Sequence, residues 1–125
     1  MEFTQNQAIY LQIADRLCEN ILEGAWKPGD RIPSVRELAE QTEVNPNTVL
    51  RTFGHLQDQG ILQNQRGIGY FVSDRALEIT VERKRESFVG TELPRVFRTM
   101  DLLKMGFEDL KRIYAARRVE GKETV

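Results

Sequence analysis

The sequence predicts a mainly α protein with a small β-hairpin: an N-terminal winged helix-turn-helix followed by a short α-helical tail. Three observations carry that expectation. Ser34 stands three residues before Glu37, the capping-box spacing. Asn45 followed by Pro46 marks a second helix start, and Gly60 stands where that helix should end. Two strand-like runs, Ile61-Leu62-Gln63 and Tyr70-Phe71-Val72, then flank a tip that holds Gly67 and Gly69. The order helix, turn, helix, wing assigns residues 7–75 to a winged helix-turn-helix domain. Residues 76–120 form a helical region expected to dimerise, and residues 121–125 a disordered tail.

Residues 9–23 read as an amphipathic helix. Tyr10, Ile13, Ala14, Leu17 and Ile21 keep helical period, and Leu11, Cys18 and Leu22 form a second stripe beside them. Cys18 reads as a small core residue. Gly24 ends the helix, Trp26 packs under the turn Lys27-Pro28-Gly29-Asp30, and Arg31-Ile32-Pro33 leads to Ser34. Leu38 and Ala39 give the next helix a small apolar face, and Thr42-Glu43-Val44 breaks it.

The following helix carries two different faces. Val49, Phe53 and Leu56 share one side and are core. Thr48, Arg51, Thr52 and His55 share another, a set of donors and acceptors suited to the major groove. A solvated helix face is the plain alternative. The wing strengthens the nucleic-acid reading, because Arg66 places a cation at the hairpin tip beside Gly67 and Gly69. Ser34 and Arg36, at the start of the earlier helix, are candidates for phosphate contact. An ion pair between Arg36 and Glu40 competes with that role.

From Asp74 the character changes. Asp74 can cap a helix through Ala76, Leu77, Val81, Lys84 and Phe88. Gly90 and Pro94 interrupt it, by a kink or by a restart capped at Thr91. Leu93, Val96, Phe97, Met100 and Leu103 keep helical period, and after Gly106 so do Phe107, Leu110, Ile113 and Tyr114. Two short helices cannot bury these faces alone, so Leu93, Val96, Phe97, Met100, Leu103, Phe107, Leu110 and Tyr114 are expected to meet a second chain.

Composition excludes several classes. The 125 residues are 40% hydrophobic and 30% charged, which fits an ordered domain with a small appendage. No apolar run approaches the ~20 residues of a membrane span. Met1 to Asn6 lack a signal-peptide pattern, so a cytoplasmic location and no membrane partner are expected. The single cysteine excludes an internal disulfide. One His and one Cys do not make a metal site, and no constellation points to an enzyme or a cofactor. Gly67-Ile68-Gly69 lacks the Gly-Lys-Ser/Thr of a phosphate loop. Net charge is −1; residues 1–73 hold six Lys/Arg against nine Asp/Glu. The basic footprint usual in nucleic-acid binders is therefore absent, and placement of cations must stand in for their number.

The segments PGDRIPSVRELAEQ, NPNTVLRTF and RGIGYFV resemble the winged-helix domain of GntR-family bacterial regulators. The Asn-Pro-Asn-Thr-Val version and the short remainder are similar to the YtrA-like branch. That resemblance implies a homodimer that binds a double-stranded DNA operator, usually to repress a nearby operon, often one of transporter genes. Many family members read Ser-Arg-Thr-Thr-Val-Arg where this chain has Asn45-Pro46-Asn47-Thr48-Val49-Leu50, so both of those arginines are absent. The expected DNA-binding set is Ser34, Arg36, Asn45, Asn47, Thr48, Arg51, Thr52, His55, Arg66, Gly67 and Gly69. A winged helix used as a protein-interaction module is the alternative. The sequence names no effector.

Overall fold

The computed structural model of the chain describes the backbone of residues 7–121 and the side chains of residues 7–118. The expectations for Met1 to Asn6 and for residues 122–125 lie outside the described residues. The chain forms two compact units, Met1–Lys84 and Arg85–Val125.

The first unit is the winged helix-turn-helix. Helix α1 (Ile9–Leu22) buries Ile13, Ala14, Leu17, Cys18 and Ile21. The two apolar stripes thus merge over Cys18 into one broad core face, leaving Leu22 exposed. Gly24, at φ +82°, closes the helix, since only glycine enters that region without a Cβ penalty. Helix α2 (Val35–Thr42) starts with a complete capping box. The Ser34 Oγ accepts from the Glu37 N–H at 3.1 Å, and the Glu37 carboxylate accepts from the Ser34 N–H at 3.1 Å. Glu43 takes the left-handed conformation to end it, and the Val44 N–H reaches back to the Ala39 carbonyl.

Helix α3 (Pro46–Asp58) is capped by the Asn45 side chain, which accepts from the Asn47 N–H at 2.8 Å. It ends in a Schellman motif: the Gly60 N–H meets the Gln57 carbonyl, and the Ile61 N–H meets the Leu56 carbonyl. Strands β1 (Leu62–Gln65) and β2 (Gly69–Val72) pair antiparallel, with Gln65 opposite Gly69. The strands extend further toward the tip than the apolar runs mark, leaving a loop of Arg66, Gly67 and Ile68. The segment before α2 adds a third edge. Arg31 bridges Phe71, Ile32 N–H donates to the Tyr70 carbonyl, and Val72 N–H donates to the Asp30 carbonyl.

One cluster holds the unit together: Val49, Phe53 and Leu56 of α3 with Ile13, Leu17 and Ile21 of α1, Leu38 of α2 and Val72 of the wing. Trp26 packs against it, as the turn after α1 leads one to expect. Helix α4 (Ala76–Ser87) contributes buried Ala76 and Thr80, with Ile79 packed on the cluster. The first unit therefore closes at Lys84 rather than at the composition change near residue 75. Burial pushes the Cys18 thiol pKa up, which suits a packing residue better than a reactive one.

In the second unit neither expected interruption occurs. A π turn (Phe88–Glu92) follows α4 and passes directly into α5 (Leu93–Leu102), and the Leu93 N–H bonds five residues back to Phe88. Pro94 sits at the start of α5. Proline cannot donate to the carbonyl four residues earlier and collides with it, so a wider turn ahead of it is a physical solution. Helix α5 ends in a Schellman motif with Lys104 in the left-handed position, where glycine is usual. The Asp109 carboxylate accepts from the Gly106 N–H at 2.9 Å to start α6 (Phe107–Gly121). Gly121 is therefore helical rather than the first residue of a disordered tail.

Phe53 is fully buried at the centre of the first core. Truncation to Ala should cost about 3–5 kcal/mol, read by chemical denaturation. The same experiment on Leu102, which is 77% exposed, should show a change within about 0.5 kcal/mol for a monomeric chain.

Candidate nucleic-acid interface

The rotation of α3 about its axis decides which side chains reach outward. Val49, Thr52, Phe53 and Leu56 are buried against the core. Asn47, Leu50, Arg51, Gln57 and Asp58 are exposed, and Thr48 and His55 lie half-buried along one flank. Thr52 is the correction to the expected reading face. Its side chain is fully buried, and its Oγ1 donates to the Tyr10 carbonyl at 2.9 Å while meeting the Thr48 carbonyl at 3.1 Å. One hydroxyl hydrogen serves one acceptor at a time, so the longer contact is the lesser one. Thr52 is a pin between α1 and α3, not a group available to a ligand.

Tyr10, expected on the core face of α1, is instead half-buried at its edge. The Arg51 guanidinium stacks over its ring at 4.0 Å, close enough for a cation–π contact. The His55 ring meets the Tyr10 ring edge-on, with centroids 5.9 Å apart. A second contact runs along the helix: the Gln59 Nε2 amide donates to His55 Nε2 at 3.1 Å. Arg51, the sole Lys or Arg on α3, is thus ordered by an aromatic face rather than by a carboxylate. Among the described residues no hydrogen bond or ion pair takes up its N–H groups, which lie in the plane of the group.

The start of α2 supplies a second positive end. Ser34 is occupied as a cap, so its hydroxyl oxygen already serves the Glu37 amide. Arg36 is 91% exposed and reaches Glu40 only at 3.9 Å, a contact of little energy in water. The Ser34 N–H holds the Glu37 carboxyl below the usual glutamate range.

At the wing, the Ile68 N–H donates to the Gln65 carbonyl, and Gly67 takes φ +78° at the third turn position. Arg66 is exposed and makes no ion pair among the described residues. Gly69 has a separate reason to be glycine. It lies at φ +144°, and a Cβ there would stand 3.0 Å from Arg31 Nε. The Arg31 side chain therefore lies across the bare backbone of β2. Arg31 was absent from the expected set because its bridge to Phe71 joins segments that no local pattern links.

The residues expected to dimerise are all in the second unit, and none of them is buried there. Val96, Phe97, Leu103, Phe107 and Tyr114 are exposed, and Leu93, Met100 and Leu110 are half-buried. Met100 lines a shallow groove of about 260 Å³ with Val96, Thr99, Leu103 and Met105. An open hollow of about 940 Å³ lies between α1 and α2 and touches none of the expected α3 or wing residues. No group of His, Cys, Asp or Glu among the described residues could hold a metal ion. No helix among them is long and apolar enough to cross a membrane.

Two measurements check this geometry. Thr52→Val keeps the shape but removes the hydrogen bond to the Tyr10 carbonyl, and should cost about 0.5–1.5 kcal/mol by denaturant titration. Glu37 should contribute to stability at neutral pH. Its folded pKa is lowered, so that contribution is present above the ordinary glutamate value of about 4.3 and is lost as pH falls through the lowered value. Glu37→Gln should flatten the stability curve below that pH; an unchanged acid limb contradicts the capping account.

Comparison with known proteins agrees with the fold. The model of the gntR family of bacterial regulatory proteins matches residues 9–72. The chain is 45% identical over 83 residues to the HTH-type transcriptional regulator YhcF of Bacillus subtilis, covering 66% of this chain and 68% of that protein. It is also 45% identical over 76 residues to the HTH-type transcriptional repressor YtrA of the same species, covering 61% and 58%. A solved GntR-family transcriptional regulator from Bacteroides thetaiotaomicron superposes with a TM-score of 0.76 at 38% identity, covering 91% of this chain and 99% of that one. With the winged helix-turn-helix in place and more than half of the sequence matched, the chain belongs to the GntR family of bacterial regulatory proteins.

Proposed function

We propose that the protein is a homodimeric transcriptional repressor that binds an inverted-repeat operator in double-stranded DNA. The observation that carries this reading is the outward side of α3. It holds Asn47 and Arg51, flanked by Thr48 and His55, with the Arg51 guanidinium ordered on Tyr10. A planar cation with free donors suits the O6 and N7 of guanine, and an amide suits adenine. Arg36 and the helix start at Ser34 and Asn45 would position the protein on phosphates. Arg66 at the Gly67 turn would meet a phosphate or enter the minor groove, and Gly69 would act through the room it leaves for Arg31.

The dimer reading draws on the exposed apolar residues of α5 and α6, above all Phe107, 70% exposed, and Phe97. Pairing with a second copy would cover them and set the recognition helices about one DNA turn (~34 Å) apart or a multiple of it. Repression draws on the similarity to a protein named as a repressor. Regulation of a nearby operon, of transporter genes or others, rests on the resemblance alone.

Selection of bound duplexes from a random pool, with affinity followed against salt, tests the reading. An enriched inverted repeat with a log–log salt slope of a few units per dimer is the expected result. Arg51→Ala should weaken binding about tenfold to a hundredfold and relax selectivity at one base pair per half-site. Arg66→Ala should weaken all sequences alike and lower the salt slope by about one per subunit. A folded dimer that enriches nothing would overturn the reading and favour a protein partner for the same surface.

A further inference from the structure

Helix α3 carries one large apolar side chain that its own core does not use. Leu50 is 51% exposed and stands between Asn47 and Arg51 in sequence. A lone exposed leucine is ordinary on a soluble protein. What sets this one apart is Gly54, four residues on and therefore on the same side of the helix. Glycine in a helix interior weakens the helix relative to alanine. Here the fold does not require it: its φ is not positive, and a Cβ at that position would meet nothing within 4 Å. An apolar side chain thus borders a bare stretch of backbone, on the side that presents Asn47 and Arg51.

We propose that Leu50 is a specificity-determining residue that packs on the C5-methyl group of a thymine in the major groove. Gly54 leaves the helix free to seat against the DNA at that point. The inference rests on the operator-binding reading above and deepens it. The thymine methyl is the apolar group that base pairs display in the major groove, so an aliphatic side chain among polar readers has one natural counterpart there. The glycine supplies the close approach that such a contact needs, because van der Waals attraction fades within an ångström of its optimum.

Uracil-substituted operators test this directly. Replacing thymine by uracil deletes the methyl group and leaves every hydrogen-bonding group of the base in place. The operator enriched from random duplexes is remade with each thymine of the half-site replaced in turn, and binding of the full chain is measured. One thymine per half-site should show binding weakened about fourfold on substitution, the worth of one buried methyl. Leu50→Ala should lose that sensitivity, while Arg51→Ala should keep it. Leu50 is exposed, so its truncation leaves the core intact, as circular dichroism should verify. Gly54→Ala should raise the melting temperature and weaken binding to every duplex. A Leu50→Ala variant that still responds to uracil as the parent does, or an operator with no uracil-sensitive position, overturns the assignment while leaving operator binding standing. Undiminished binding by Gly54→Ala overturns the close seating. Failure of the parent chain to enrich any duplex overturns the operator reading itself.

Discussion

The rotational setting of α3 is the constraint on which the rest of the first unit depends. A helix turned by a third of a revolution would carry the same residues and present a different surface. Here Val49, Phe53 and Leu56 fix the angle by burial, and Thr52 sharpens it with a hydrogen bond to the Tyr10 carbonyl. Burial alone tolerates some rolling, because apolar contact has no direction. A hydroxyl aimed at a single carbonyl tolerates much less. The same carbonyl belongs to the residue whose ring carries Arg51, so the pin and the presented cation share one anchor.

That coupling matters more because the charge balance is unfavourable. Residues 1–73 have six cations against nine acids, yet four of the six, Arg31, Arg36, Arg51 and Arg66, stand at α2, α3 or the wing. Arg16 instead pairs with Glu19 at 3.2 Å. With few cations, each must lose little freedom when it binds an anion. Stacking on Tyr10 orders Arg51 in advance, and the bare Gly69 backbone gives Arg31 a defined path. A strongly basic surface can rely on number; this one relies on arrangement.

The local grammar of the chain was legible in the sequence. Ser34, Asn45, Gly24 and Gly60 mark helix ends because caps and left-handed glycines act on neighbours within a few residues. What depended on distant partners was not. Thr52 lies between the polar and apolar sectors of α3, and only its acceptor on α1, 42 residues away, decides to which it belongs. Tyr10 reads in the sequence as a core position, yet it is half-buried and supports Arg51 and His55 instead. Arg31 was missed for the same reason, since its pairing with Phe71 crosses the chain. Leu50 departs from the family pattern in sequence, but its exposure four residues before Gly54 shows only in the fold. The π turn before Pro94 escaped both readings because sequence rules treat proline as a kink or a stop and have no sign for a widened turn.

In the second unit, local order and packing part company. The Schellman closure at Lys104 and the Asp109 cap satisfy backbone groups at the ends of α5 and α6. Yet α5 has no buried residue, and Val96, Phe97, Phe107 and Ile113 remain exposed. Helices of ten to fifteen residues are marginal in water on propensity alone and gain their stability from a packed apolar face. Caps contribute about 1 kcal/mol each, too little to replace such a face. The shortfall gives the proposed dimer its thermodynamic basis: pairing would complete a core that one copy leaves open, and folding of α5 and α6 would then depend on protein concentration. Under that arrangement, the contact that stabilises the tail would also set the spacing at which two α3 helices meet DNA.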